Sequence, residues 1–173
     1  MNTDRIVLKK INIGGYKSIR PEGQEISFGD ITVLLGANGS GKSNLVSFFK
    51  MLNYLTTKGL QIYIEGQGSA SSLLYYGAKT TNHIDYSLSF EQNKNDCCRS
   101  TVYEGTLSYG MPDRLFLSKE KVTYKRTSDS MPNEYYITGN LVESGLSDDS
   151  HKPSKVLTIS NKKSPTSKLH YSL

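Results

Sequence analysis

The feature that most constrains this chain is a glycine-rich loop that lies between an apolar run and a helical pattern. Residues 31–35 are apolar except for one threonine. Gly36, Gly41, Lys42 and Ser43 follow in the spacing G-x-x-x-x-G-K-S, which is the pattern of the phosphate-binding P-loop. The sequence therefore predicts a strand buried on both faces, a phosphate-binding loop and a helix, in that order.

The residue types in this loop suit the binding of a polyphosphate. Glycines at positions 36, 39 and 41 permit backbone conformations closed to other residues and let N–H groups approach an anion. A helix that begins near Lys42 adds unpaired N–H groups and the positive end of its dipole. Lys42 is predicted to reach the β- and γ-phosphates, and the Ser43 hydroxyl to coordinate Mg²⁺. The alternative, an ordinary glycine-rich turn with a helix cap, does not explain the apolar run before the loop.

Composition places the chain among soluble globular proteins. It has 173 residues, enough for one domain or slightly more with a real core. It contains no apolar stretch as long as a membrane span and no signal-peptide core near its start, which predicts the cytoplasm and no membrane partner. Cys97 and Cys98 are adjacent and have no second pair, so we expect reduced, ordinary residues, with a redox role as the alternative.

The net charge is +5, and much of the basic excess lies towards the C-terminal end, at Lys152, Lys155, Lys162, Lys163 and Lys168. Such an excess is compatible with nucleic-acid contact, because neutralising phosphates requires Lys and Arg. It is also compatible with a solvated surface, which is the favoured interpretation. Lys9–Lys10 and Lys119–Lys121 are predicted to be polar faces of strands.

The periodicity of apolar residues predicts the remaining elements. Short strands are expected at residues 5–13 and 24–28, before the apolar run. A helix with an apolar face is predicted after the loop, ending at residues 56–59, with its face formed by Leu45, Phe48, Phe49, Leu52 and Leu55. Residues 59–77 are ambiguous, with two further short helices as one interpretation.

From His83 the period changes to two, which is typical of strands. Alternating segments at residues 84–90, 102–107, 115–124 and 135–137 are separated by turn-rich stretches. They predict an antiparallel meander. The stretch 144–165 is polar and is expected to form loops, apart from a candidate strand at residues 156–159.

These motifs resemble those of a known family. The segment Gly-Tyr-Lys-Ser-Ile at residues 15–19, a short strand and the run at residues 31–45 resemble the N-terminal part of RecF/SMC-like ABC-type ATPases. These proteins are also labelled AAA-family predicted ATPases, and their relatives include OLD-family and antiphage-defence ATPases. The resemblance is specific over residues 5 to about 90 and only architectural beyond them.

The resemblance implies an α/β (α+β) fold, the N-terminal lobe of an ABC-type P-loop NTPase. It would contain a mixed sheet, the P-loop helix and an antiparallel β-rich arm. Residues 1–82 would form the ATP-binding lobe, and residues 83–173 the arm, with the polar loop near 144–165.

The same resemblance implies ATP and Mg²⁺ as ligands and names the residues that would hold them. Lys42 would be the catalytic residue and Ser43 the metal ligand. Lys17 and Ser18 lie where the family's Lys/Arg-Ser segment approaches the nucleotide, although a polar turn between strands is an equal alternative. The phosphates would be bound by Gly36, Ala37, Asn38, Gly39, Ser40, Gly41, Lys42, Ser43 and Asn44.

Other parts that such ATPases need are not recognisable in the sequence. No apolar strand ends in the Asp-Glu pair of a Walker B segment. Residues 107–110 have the letters of the signature segment but a strand-like setting, and residues 143–147 match no better. Gln92 follows a strand as the family's Q-loop glutamine does, but a turn residue is the favoured interpretation. The chain therefore resembles the N-terminal lobe of a longer ATPase.

Three functional hypotheses follow. The first is an ATP- and Mg²⁺-binding lobe whose hydrolysis requires a C-terminal ATPase half and a homodimer formed through ATP. The second is a non-catalytic, nucleotide-dependent binding module for DNA or a protein partner, such as one from a defence system. The third, a self-sufficient small kinase, is disfavoured because the chain beyond the helix is a strand meander. Adenine specificity is implied by the family, since no guanine-reading Asn-Lys-x-Asp segment occurs.

Overall fold

In the part of the chain that the structure describes, six strands form one sheet, and two helices pack against it. A computed structural model describes residues 6–57, 59–94, 97–126 and 132–136. A 3-10 turn at Ser71–Leu73 lies between the second helix and the third strand. The elements are β1 Ile6–Gly14, β2 Gln24–Ser27, α1 Lys42–Thr56, α2 Leu60–Gly66, β3 His83–Lys94, β4 Cys97–Gly110, β5 Arg114–Arg126 and β6 Asn133–Tyr136.

The strand order is β2-β1-β3-β4-β5-β6, and every pair of neighbours is antiparallel. The predicted meander is therefore confirmed for β3 to β6. The mixed sheet expected from the resemblance is not found among the described residues. Strand β1, from the predicted ATP-binding lobe, pairs directly with β3 of the predicted arm, so the two ranges share one sheet. The polar stretch 144–165 lies outside the described residues.

Helix α1 covers one face of the sheet. It spans the residues that the three- and four-residue spacing predicts, and Leu45, Phe48 and Leu52 on its apolar face are buried. The Phe48 ring lies edge-on between two tyrosine rings, with centroids 5.3 Å from Tyr16 and 5.7 Å from Tyr86. Such edge-to-face contacts add to the stabilisation from apolar burial. In the part of the chain that the structure describes, no helix is long and apolar enough to cross a membrane.

The prediction of a strand at residues 31–35 is wrong. This segment has no regular secondary structure and pairs with no described strand, and Ile31 and Leu35 are 88% and 87% exposed. The neighbours of β1 in the sheet are already β2 and β3, so the sheet offers no central position to another strand. An apolar run becomes a buried strand only where other strands bond its backbone on both sides. Residues 31–35 have the apolar composition of a buried strand, but no described strand pairs with them.

The sheet buries a polar chain of three side chains next to a glycine. The Tyr86 and Tyr103 hydroxyls are 3.1 Å apart, and Tyr103 donates a hydrogen bond to Glu120 Oε1 at 2.7 Å. Gly105 on β4 makes room for this arrangement, since a Cβ there would lie 2.2 Å from the Tyr86 hydroxyl oxygen. The absence of a side chain at this position is therefore a packing requirement.

Replacing Gly105 with alanine tests this packing. We expect Gly105→Ala to lower the free energy of unfolding by about 1–3 kcal/mol, as overpacking of a well-filled core does. Gly66→Ala is the matched control, because a Cβ at this helical position meets nothing within 4 Å. It should be neutral or stabilising by up to about 1 kcal/mol. Urea unfolding of both variants measures the difference, and equal midpoints would contradict the packing argument.

The buried tyrosines predict a loss of stability at alkaline pH. Burial raises the pKa of Tyr16, Tyr86 and Tyr103 above its ordinary value. The unfolded chain releases these protons near pH 10, while the folded chain retains them. Stability is therefore complete below about pH 10 and falls above it, by about 1.4 kcal/mol per pH unit for each such tyrosine.

Urea unfolding at a series of pH values from 8 to 11 measures this slope. Tyr86→Phe should make the decline above about pH 10 shallower. A decline equally steep in the variant would show that this hydroxyl does not contribute.

The exposure of residues 31–35 is tested by polar substitution. The double variant Val33→Thr with Leu35→Thr should leave the free energy of unfolding within about 0.5 kcal/mol, because these side chains bury little surface. Ile13→Thr is the control, since Ile13 is 0% exposed and should cost about 2 kcal/mol or more. A large loss in the double variant would show that residues 31–35 are packed in the folded chain.

Candidate phosphate-binding site

The N-terminus of α1 is open to an anion. The helix begins at Lys42, directly after Gly41, and no side chain caps its first turn. That turn also carries no acidic residue. The first N–H groups of a helix lack partners within the helix and carry partial positive charge. This end of α1 can therefore receive a negatively charged group.

The glycines before the helix shape the loop in two different ways. Gly39 and Gly41 have φ angles of 85° and 91°, in the left-handed region that favours glycine. A Cβ on Gly39 would meet nothing within 4 Å, so the backbone conformation alone requires glycine there. At Gly36 a Cβ would lie 2.7 Å from Ser40 Oγ, which is a steric requirement. The loop is therefore closely packed at Gly36 and open at Gly39.

The Lys42 ammonium group lies against the backbone of this loop. Its Nζ donates to the carbonyl oxygens of Gly36 at 2.6 Å and Ala37 at 2.7 Å, and to Ser40 Oγ at 3.1 Å. All three acceptors are neutral, and no ion pair with Lys42 is found among the described side chains. The arrangement holds an uncompensated positive charge beside the unpaired N–H groups of α1.

Ser43 is an exposed residue of the first turn of α1, where its hydroxyl can reach a ligand in the loop. Among the described residues, no three His, Cys, Asp or Glu side chains lie together as a metal site. Mg²⁺ is typically held by one or two protein oxygens together with phosphates and water. The Ser43 hydroxyl is one oxygen of this kind.

The structure brings Ser18 to the loop. Ser18 lies in the turn that follows β1, and its Oγ accepts a hydrogen bond from Asn44 Nδ2 at 2.7 Å. The same oxygen lies 3.4 Å from the place where a Cβ on Gly41 would be. Ser18 therefore packs against the junction of loop and helix, although the two segments are more than twenty residues apart in sequence.

Lys17 is placed one helical turn further along α1. Its φ angle is 50°, which is unusual for a residue with a side chain. Its Nζ donates to Ser47 Oγ at 2.8 Å and to Gln67 Oε1 at 3.1 Å. The segment at residues 17 and 18 therefore does form a polar turn, and that turn is also docked on the P-loop helix.

Ser47 is the residue that sequence analysis missed. It contacts Lys17, Tyr16 and Tyr63 together, but no motif marks it. The available signal was weak: a serine one turn after Ser43, between buried positions of the apolar face of α1. A single serine inside a helical pattern is ordinarily a solvated residue, so only the tertiary contacts identify it.

Two other candidate segments lie away from the loop, inside strands. Residues 107–110 belong to β4 and not to a helix N-terminus, as their strand-like setting predicted. Gln92 belongs to β3, pairs with Ile6 and Arg99, and is 8% exposed. The interpretation of Gln92 as a turn residue is therefore wrong, because β3 continues to Lys94.

Comparison with known proteins adds one finding. The sequence model of a protein family described as an AAA domain matches residues 10–168, which is most of the chain. The matched range includes the loop, both helices and the Lys17–Ser18 turn. No curated protein matches the chain.

Proposed function

The chain belongs to the AAA domain family, whose members are nucleotide-binding ATPases, and from this premise we propose that it is the ATP- and Mg²⁺-binding N-terminal lobe of a RecF/SMC-like ATPase. The observation that carries the proposal is the Lys42 ammonium group beside the uncapped start of α1. The ammonium group supplies positive charge, and the start of α1 supplies free N–H donors. Both are available to a ligand in the loop. A polyphosphate is the ligand that uses both.

Each loop residue then has a part in binding. The N–H groups at the tip of the loop and the start of α1 donate to the phosphate oxygens. Lys42 keeps its carbonyl contacts on one side and places its charge against the β- and γ-phosphates on the other. Ser43 is the residue that would hold Mg²⁺, which when bound neutralises phosphate charge. Ser18 lies against the site through its bond with Asn44, and Lys17 supports the same turn from Ser47.

The exposed apolar segment supports a second part of the proposal, a C-terminal ATPase half as partner. Residues 31–35 run directly into the loop but have no strand partner among the described residues, and Val46 on the adjoining turn of α1 is 53% exposed. Apolar surface next to an unpaired backbone is typical of an interface. We propose that a strand of that half pairs here and carries the Walker B acid. Hydrolysis would then also require an ATP-bridged homodimer.

The alternative is a binding module for DNA or a protein partner, without chemistry. The net charge of +5 motivates it. Two described lysines of the sheet give it little support, because they pair with acids. Lys10 lies 2.9 Å from Glu25, and Lys121 lies 2.6 Å from Glu134. DNA binding that weakens steeply with added salt would favour this alternative.

Nucleotide binding by the 173-residue chain tests the main proposal. A fluorescent ATP analogue with Mg²⁺ should bind, and Lys42→Ala should weaken the binding by about tenfold or more, since charge-assisted contacts to phosphate are lost. Lys50→Ala is the matched control, because Lys50 is an exposed lysine of the same helix and should bind as the original chain does.

Phosphate release measured in parallel separates binding from turnover. We expect binding without turnover, because the Walker B acid would come from the partner half. Turnover that disappears in Lys42→Ala would show that the chain carries its own catalytic acid. An absence of Lys42-dependent binding would overturn the proposed function.

A further inference from the structure

Four polar groups converge on the second turn of α1. The Ser47 Oγ lies 2.7 Å from the Tyr16 hydroxyl, 2.8 Å from Lys17 Nζ and 2.8 Å from the Tyr63 hydroxyl. The Tyr63 hydroxyl also donates to the Ser47 carbonyl oxygen at 2.9 Å. These contacts join the turn after β1, helix α1 and helix α2 at one side chain.

Counting protons gives one consistent arrangement of these bonds. Lys17 can only donate, and Tyr63 uses its proton on the Ser47 carbonyl oxygen. The Tyr16 hydroxyl is closer to Ser47 Oγ, at 2.7 Å, than to the Tyr63 hydroxyl, at 3.3 Å. With Tyr16 donating to Ser47, Ser47 donates its own proton to Tyr63 and accepts from Tyr16 and Lys17. A serine hydroxyl has one donor and two acceptor positions, so all three are occupied. No hydrogen-bonding capacity of Ser47 is left for another partner.

The surroundings keep this arrangement intact. Tyr16 is 0% exposed, and its burial raises the pKa of the phenol, so it remains an O–H donor at neutral pH. Desolvated hydrogen bonds are costly to break, since a buried group left without a partner loses its full solvation. The Ser47 hydroxyl is therefore a fixed acceptor for the Lys17 ammonium group.

The position of Lys17 affects the loop through the next residue. Lys17 is held in its left-handed conformation by its backbone N–H, which donates to the Leu73 carbonyl oxygen at 2.9 Å, and by its bond to Ser47. A non-glycine residue in this conformation persists only where its surroundings hold it. Ser18 follows directly and contacts Asn44 and the Gly41 backbone. Displacing Lys17 would therefore displace Ser18 from the loop.

We propose that Ser47 is a positioning residue that holds the turn at residues 16–18 against the phosphate-binding loop, so that nucleotide affinity depends on its hydroxyl. The inference rests on the proposed function, because the affected ligand is the nucleotide bound in that loop. Ser47 itself touches neither the loop nor its ligand. Its effect is transmitted through Lys17 and Ser18.

The test measures binding of the fluorescent ATP analogue with Mg²⁺ and thermal unfolding for a set of variants of the 173-residue chain. Ser47→Ala should weaken binding by roughly five- to tenfold, which is less than the tenfold or greater loss expected for a hydrogen bond to a charged group, because the effect reaches the ligand only through Lys17 and Ser18. Ser47→Thr keeps a hydroxyl and should restore most of the affinity. If Ser47→Ala does not fold, Ser47→Cys serves instead, because the thiol keeps the volume but bonds weakly.

Two further variants separate positioning from general stability. Thr56→Val is the matched control: it removes a part-buried hydroxyl from the same helix, one that donates to the Asn53 carbonyl oxygen within α1 at 3.0 Å. It should lower the unfolding temperature without changing affinity. In a Lys17→Met background, Ser47→Ala should cause a smaller further loss of affinity than in the original chain, because the bond to Lys17 is already absent and the bond to Tyr16 remains.

The outcomes distinguish this inference from the proposed function. Lys42-dependent binding that is unchanged in Ser47→Ala would overturn the positioning role and leave the proposed function intact. Additive losses from Lys17→Met and Ser47→Ala would also overturn it. If the original chain shows no Lys42-dependent binding, both the proposed function and this inference are wrong.

Discussion

The packing of Phe48 between two tyrosines is the contact on which the rest of the structure depends. Its ring lies edge-on to Tyr16 from the turn after β1 and to Tyr86 from β3. Phe48 belongs to the second turn of α1, so fixing it in the sheet also fixes the start of the helix one turn away. This apolar contact therefore fixes the position of the candidate phosphate-binding loop.

The polar contacts reinforce the same placement. Tyr16 presents its ring to Phe48 and its hydroxyl to the adjacent Ser47, so one side chain links the apolar core to the polar network. Ser47 then binds Lys17, and Ser18 lies against the loop. Apolar burial supplies most of the stabilisation, while hydrogen bonds specify which atoms meet. The turn at residues 16–18 is therefore positioned from two sides.

Helix α1 is covered on only one side by the described residues. Leu45, Phe48 and Leu52 are buried, whereas Val46 and the segment at residues 31–35 remain exposed. Under the proposed function, this exposed apolar surface is where a C-terminal half would pair. In the described part of the chain, the candidate loop of this AAA domain family member accompanies a sheet in which every pair of neighbouring strands is antiparallel.

Local pattern was enough to predict most of the elements and the core of the site. The alternation in β3 to β5, the three- and four-residue spacing of α1 and the spacing of Gly36, Gly41 and Lys42 depend on neighbouring residues, so they can be recognised in the sequence. Residues 31–35 show the limit of this approach. Their composition is that of a strand, but a strand exists only where another strand bonds it.

Only the tertiary structure decided the contacts between distant segments. The sequence by itself determined a glycine-rich loop at the start of a helix and an antiparallel meander after it, and it predicts that the loop binds phosphate. It did not determine that Ser18 would meet Gly41, or that Ser47 would join Tyr16, Lys17 and Tyr63. These pairings depend on how β1, α1 and α2 pack together, and no periodicity within one segment encodes the position of another.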